Sequence, residues 1–240
     1  MNKIIVKSEE EGGIVAGDIL LDLIKSTSKP VLGLATGSTP ISTYKYLIKK
    51  SNDESIDWSN VTTFNLDEYI GLGPEHKKSY RYFMNEELFN HININKDNTF
   101  VPDGHTKTNE EASKYDDLIS SKGGIDLQVL GIGTNGHIGF NEPGTSFDSV
   151  TSIVDLTSET IEANARFFDN KNDVPKKAIS MGLKSIMNAR KIVLLAFGKQ
   201  KAEAIKNLFN LKPSLDWPCT ILNNHNDVTV IVDEDAASLL

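Results

Sequence analysis

The sequence predicts an α/β fold: a single domain, with a mostly parallel sheet and helices on both faces. Three observations carry this. Short apolar runs at Val31–Ala35, Ile125–Leu130 and Lys191–Phe197 have the composition of strands buried on both faces. Amphipathic stretches with apolar residues at helical spacing alternate with such runs along the chain. The chain has 240 residues, 39% hydrophobic and 24% charged, so one domain over 1–240 with a sizeable core is the simplest reading.

Lys3–Lys7 is a short strand candidate. Ser8 and Glu11 stand at capping-box spacing, and Val15, Ile19, Leu20, Leu23 and Ile24 make residues 9–26 an amphipathic helix. Val31–Ala35 is a buried strand. The turn Thr36-Gly-Ser-Thr-Pro40 leads into a helix, with Pro40 suited to its first position. Val61–Asn65 is the next strand and ends in Leu66-Asp-Glu-Tyr69. Gly71, Gly73 and Pro74 mark a loop, and Ser79–Phe89 reads as a helix. Asn109–Ile119 is a polar helix candidate, followed by strand 125–130. Residues 145–175 are polar and less regular, with Ser158–Phe168 able to form a helix. Ala178–Met187 is ambiguous. Lys191–Phe197 is the strongest strand signal, and Gly198-Lys-Gln-Lys201 leads from it into a helix. Val228–Asp233 is the last strand.

Composition excludes several functions. The net charge of −8 argues against nonspecific nucleic-acid binding, and an anionic ligand would need a locally positive pocket. No apolar run approaches the roughly 20 residues of a membrane helix. The first residues, MNKIIVKSEEE, lack the apolar core of a signal peptide. The one cysteine, Cys219, reads as a small buried hydrophobe and fits a reducing, cytoplasmic setting.

The chemistry concentrates in Gly131-Ile-Gly-Thr-Asn-Gly-His-Ile-Gly-Phe-Asn-Glu-Pro-Gly144, which holds five glycines in fourteen residues. Its first half matches the G-x-G-x-x-G dinucleotide pattern. That pattern has meaning only where its glycines open a helix, and the glycines and proline that follow argue against one. His137 is the one histidine in a glycine-rich loop; His76, His91, His105 and His225 lie in polar contexts. Histidine gives and takes protons near neutral pH. Glu142 could orient its ring, and Asn135 could hold either group. No metal-binding histidine spacing is present, and neither metal nor cofactor is expected. In an open parallel sheet ligands sit at the carboxyl ends of strands. Four segments end strands with polar residues: Thr36–Thr39, Asn65–Glu68, the 131–144 loop and Gly198–Lys201. Gly37, Ser38 and Thr39 precede a helix, where exposed amides favour a monophosphate; a helix cap by Ser38 or Thr39 is compatible. Asp67 could take a proton from carbon, cap a turn, or yield that role to Glu68. Spacing alone points to an acid–base enzyme acting on a small phosphorylated molecule.

At these residues the chain resembles the glucosamine/galactosamine-6-phosphate isomerase family. The resemblance runs over nearly the whole chain. It is densest in Leu32–Pro40, Phe64–Tyr69, Ser79–Met84, Gly131–Gly144, Ala163–Phe168 and Gly198–Ala202. It implies a Rossmann-like fold and conversion of glucosamine 6-phosphate to fructose 6-phosphate and ammonia, a hydrolytic cleavage of a carbon–nitrogen bond. It implies that His137, supported by Glu142, assists pyranose opening. It further implies that Asp67 moves a proton from C2 to C1 through an enolamine. Gly37, Ser38 and Thr39 would bind phosphate together with Arg166 and Lys201, and residues from about 145 to 180 would form a lid. Some members carry aspartate at the position of Asn135; a neutral amide leaves Glu142 to support the His137 cation. Larger members have a C-terminal extension and an allosteric site at subunit contacts. This chain ends at Leu240 and lacks basic residues at Ser152–Asp155, so a monomer or small homo-oligomer is expected. The expected partner is a small hexosamine phosphate, with no nucleic acid and no membrane. Three alternatives stand beside this. The substrate could be galactosamine 6-phosphate, or the chain could hydrolyse 6-phosphogluconolactone on a related scaffold. It could also be a sugar-phosphate sensor, which needs a DNA-binding region for which the sequence leaves no room.

Overall fold

The computed structural model describes residues 1–165, 168, 170 and 173–240. Ten strands and seven α-helices follow in order: β1 (Asn2–Val6), α1 (Glu9–Ser26), β2 (Val31–Leu34), α2 (Ile41–Glu54), β3 (Thr62–Asn65), β4 (Asp67–Tyr69), α3 (Tyr80–Glu87), β5 (Thr99–Phe100), α4 (Asn109–Ser121), β6 (Leu127–Leu130), β7 (Ser152–Asp155), α5 (Ser158–Asn164), β8 (Lys177–Ser180), α6 (Leu183–Met187), β9 (Lys191–Ala196), α7 (Ala202–Asn210) and β10 (Val228–Asp233). These seventeen elements are those of the described residues.

Seven strands form one sheet in the order β1-β10-β9-β6-β2-β3-β5. Every pairing in it is parallel. The apolar runs read as strands build its centre because they have a helix layer on each side. On one face Leu32, Leu34, Leu127, Val129, Val193 and Leu195 pack with Leu20 of α1 and Leu47 of α2. On the other, Phe64, Leu130, Ile192 and Leu194 pack with Tyr115 of α4 and with Ile205 and Leu208 of α7. Successive residues of β9 thus face opposite cores, as the strand period of two requires.

The strand order fixes where a site forms. From β2 the chain moves outward to β3 and β5, then returns to the other side of β2 as β6 and continues to β9 and β10. The crevice between β2 and β6 is therefore a topological switch point at the carboxyl ends of parallel strands. The segments that follow β2, β3, β6 and β9, four adjacent strands, are the four polar strand ends picked out in the sequence.

A second sheet was not legible. β4, β8 and β7 pair antiparallel, with Asp67 opposite Ser180 and Ser152 opposite the same serine. Asp67 is thus not in a loose turn after β3 but in a strand. The irregular stretch 145–175 contains β7 and α5, and the ambiguous stretch 178–187 divides into the end of β8 and α6. β7 is tied down from outside its sheet. The Asp116 carboxylate accepts from Thr151 N and Oγ1, at 2.9 and 2.7 Å. Asn109 Oδ1 accepts from Ile153 N at 2.9 Å. Among the described residues no helix is long and apolar enough to cross a membrane.

Candidate active site

The loop 131–144 leaves β6 and folds back on itself around His137. Gly133 N donates to His137 O at 2.9 Å, and the imidazole lies flat against Gly133. A Cβ on Gly133 would overlap three atoms of that ring, so only glycine admits this approach. His137 Nδ1 is buried, 3.4 Å from Glu142 Oε2. This is an ion-pair distance rather than a tight hydrogen bond. Asn135 joins the two: its Nδ2 donates to Glu142 Oε2 at 2.7 Å, and its Oδ1 accepts from His137 N at 3.2 Å. The second carboxylate oxygen, Oε1, accepts from Thr160 Oγ1 at 2.5 Å. Burial works against ionisation of Glu142. The His137 ring, the Thr160 hydroxyl and the Asn135 amide outweigh it and hold the carboxyl at about 2.

The loop is braced at both ends. Cys219 N donates to Gly136 O at 2.8 Å, and Trp217 and Cys219 pack beneath Gly136. Cys219 is fully buried, and burial pushes its thiol up to about 12, as a structural hydrophobe should behave. Toward its far end, Phe140 N donates to Ser180 Oγ at 3.1 Å and Asn141 Nδ2 donates to Met181 O at 2.8 Å. Ser180 also pairs with Asp67 across β8 and β4. That residue is therefore the joint between the histidine loop and Asp67. An ideal Cβ on Gly139 would stand 3.2 Å from Ser180 Oγ and 3.7 Å from Asp67 Oδ2, which places the aspartate beside the loop.

Asp67 is 7% exposed. Burial, with the neighbouring Glu68 charge, pushes its carboxyl up to about 8. Glu68 is occupied elsewhere. Its carboxylate accepts from Tyr69 N, Tyr80 N and Arg81 N, at 2.8, 2.9 and 3.0 Å. It thereby satisfies amides in the first turn of α3, beside the Ser79 cap. Of the two adjacent acids, one caps a helix and the other is left to the cleft.

The candidate phosphate residues meet the loop at its other end. Thr39 Oγ1 lies 4.0 Å from where a Cβ on Gly131 would stand. Lys201 Nζ donates to Ile132 O at 2.6 Å. The first turn of α2 has no side-chain cap, so Ser38 and Thr39 are not spent on capping it. Pro40 is the residue before the helix rather than its first. Gly37 takes φ +89°, which turns the chain into α2. Arg166 lies outside the described residues. Thr160 and Ser180 were missed in the sequence. A threonine in a helix start and a serine in an ambiguous stretch carry no local signal of the partners they find 18 and 40 residues away.

A family model described as glucosamine-6-phosphate isomerases/6-phosphogluconolactonase matches residues 17–231. The chain belongs to that family. It is 55% identical over 240 residues to a glucosamine-6-phosphate deaminase of Mycoplasma mycoides subsp. mycoides SC, covering 100% of this chain and 98% of the other. It is 54% identical over 241 residues to a glucosamine-6-phosphate deaminase of Clostridium perfringens, covering 100% of both. The solved structure of a monomeric glucosamine-6-phosphate deaminase superposes with a TM-score of 0.97 at 45% identity, over 100% of both chains. A 6-phosphogluconolactonase from Trypanosoma cruzi superposes with a TM-score of 0.75 at 19% identity, covering 100% of this chain and 96% of that one. This last likeness shows the shared fold. Within the family, the chain has its full-length, high-identity relatives among the deaminases.

Proposed function

We propose that this chain is an enzyme that isomerises and deaminates glucosamine 6-phosphate to fructose 6-phosphate and ammonia. The observation that carries this reading is Asp67. It is a buried carboxyl beside the histidine loop, and its proton affinity is raised to where a base for carbon is useful near neutral pH. Lactone hydrolysis has no need of such a group. The full-length likeness to deaminases supports the same choice.

The chemistry then divides between two stations. His137 takes the proton of the anomeric hydroxyl and returns one to the ring oxygen, opening the pyranose to the aldehyde; Glu142 stabilises the transient imidazolium. Asp67 removes the C2 proton while O1 takes one from the substrate ammonium, giving the neutral enolamine, and the same carboxyl then delivers its proton to C1. The electron pair of nitrogen closes to a C2 iminium. Water adds at C2, the carbon–nitrogen bond breaks, and ammonia leaves behind the ketose. The substrate ammonium, arriving beside Asp67, favours the ionised carboxylate that the first proton transfer requires. Gly37, Ser38, Thr39 and Lys201 hold the phosphate, with Arg166 as a further cation. Within the stretch from about 145 to 180 expected as a lid, α5 reaches the loop through Thr160 and is the part suited to keep water from the enolamine. All these groups come from one chain, so a monomer or small homo-oligomer suffices for the reaction, and the solved deaminase it resembles is monomeric.

Parallel assays with glucosamine 6-phosphate, galactosamine 6-phosphate and 6-phosphogluconolactone test the assignment. Equimolar ammonia and fructose 6-phosphate from the first substrate is the expected result. Lactone hydrolysis without ammonia release from either amino sugar would move the chain to the lactonase branch.

A further inference from the structure

Glu142 is held at both carboxylate oxygens, from two different parts of the chain. Oε2 faces Asn135 and His137 of its own loop. Oε1 accepts from Thr160, eighteen residues on, in the first turn of α5. The direction of that bond is fixed. Thr157 Oγ1 accepts from Thr160 N at 3.1 Å as the α5 cap, and donates its own proton to Thr160 Oγ1 at 3.0 Å. Thr160 Oγ1 is thus already an acceptor, and its single proton goes to Glu142. Capping does not need the Thr160 hydroxyl, because Thr157 does that work. The side chain is buried, so valine would fill the same space if packing were its only purpose. A buried hydroxyl ordered by a second hydroxyl and aimed at a carboxylate is a charge-assisted contact.

We propose that Thr160 is a positioning residue for the ring-opening pair: it fixes Glu142 so that Oε2 stays on Asn135 and His137. The inference rests on the roles given to His137 and Glu142 above. It adds α5 to the site, an element outside the glycine-rich loop and outside the main sheet. His137 is the one titratable group facing Glu142 among the described residues; Asn135 and Thr160 are neutral donors.

The test compares Thr160→Val with Thr160→Ser in the full chain. In Thr160→Val, kcat on glucosamine 6-phosphate falls about tenfold, with KM and the affinity for an open-chain amino-alditol phosphate within about twofold of wild type. In Thr160→Ser, which keeps the hydroxyl, kcat returns to within about twofold of wild type. A carbon-13 titration of the Glu142 carboxyl reads the same bond without turnover, and its midpoint rises by about one pH unit in Thr160→Val alone. Three results overturn the inference: Thr160→Val matching wild type in kcat and in the titration, Thr160→Ser falling as far as Thr160→Val, or kcat and open-chain affinity falling together. Absence of ammonia release by the wild type would count against the deaminase reading alone, and the carboxyl titration would still decide the role of Thr160.

Discussion

Asn135 donates its amide to Glu142 Oε2 at 2.7 Å, the oxygen that lies 3.4 Å from His137 Nδ1. The amide therefore works on the histidine through the glutamate. It contributes a donor to the carboxylate and leaves Glu142 as the one negative charge of the pair. Replacing it by aspartate, the residue some family members carry there, sets two carboxylates at hydrogen-bond distance. They cannot both ionise freely, so one retains a proton to higher pH. Asn135→Asp is expected to move the acid limb of kcat upward in pH. Asn135→Ala, which removes both this donor and the acceptor of His137 N, is expected to lower kcat about tenfold at all pH values. Profiles of kcat between pH 4 and pH 9 separate the two.

The carboxyl of Asp67 is pushed up to about 8, so in the free protein this group is mostly protonated at neutral pH. If Asp67 is the carbon base, kcat/KM rises with pH through a midpoint at about 8. Glu68→Gln removes the like charge that adds to this shift, and the midpoint is expected to fall. The same change weakens the three amide contacts at the start of α3 and costs about 1–3 kcal/mol of stability. A pH–rate series and a urea titration on the same variant check both effects.

Asp67 also has a stability signature. Its folded carboxyl binds a proton more tightly than the unfolded one, whose value is 3.8. Its contribution to stability is complete below 3.8 and is lost as pH rises toward about 8. The slope is at most about 1.4 kcal/mol per pH unit. Asp67→Asn removes this loss. The variant is expected to gain on the wild type in melting temperature across that window and to hold the advantage at pH 9. Parallel thermal melts at pH 5 and pH 9 measure it.

Much of this was legible in the sequence, and the exceptions share a cause. The central strands were readable because burial on both faces demands apolar runs, as in Lys191–Ala196. The histidine loop was readable because its glycines are needed where the backbone meets a side chain. β4, β7 and β8 were not. β4 is three residues long and begins with two acids, while β7 is half-buried. Their pairing joins Asp67 to Ser180, a contact that no local pattern encodes. The division of labour between Asp67 and Glu68 was likewise hidden. It depends on α3 starting where its amides reach Glu68, twelve and thirteen residues away. Thr160 reaches Glu142 through the same kind of nonlocal placement.

Gly133→Ala probes the closest contact in the loop. The added methyl overlaps the His137 ring, so the imidazole must leave its place against Glu142 or the loop must widen. Overpacking of this kind costs about 1–3 kcal/mol. The expected outcome is a kcat loss comparable to that of His137→Gln, with the affinity for an open-chain amino-alditol phosphate kept. Steady-state kinetics together with inhibitor titration read the split.

The role proposed for Asp67 is to move the proton between C2 and C1 of an amino-sugar phosphate. It is tested most directly by measuring ammonia and fructose 6-phosphate released from glucosamine 6-phosphate by wild type and Asp67→Asn, with open-chain inhibitor affinity measured on both. Equimolar products are expected from the wild type. In Asp67→Asn the rate is expected to be lower by about 100-fold or more at nearly unchanged inhibitor affinity. No ammonia from the wild type, or turnover that survives in Asp67→Asn, would contradict it.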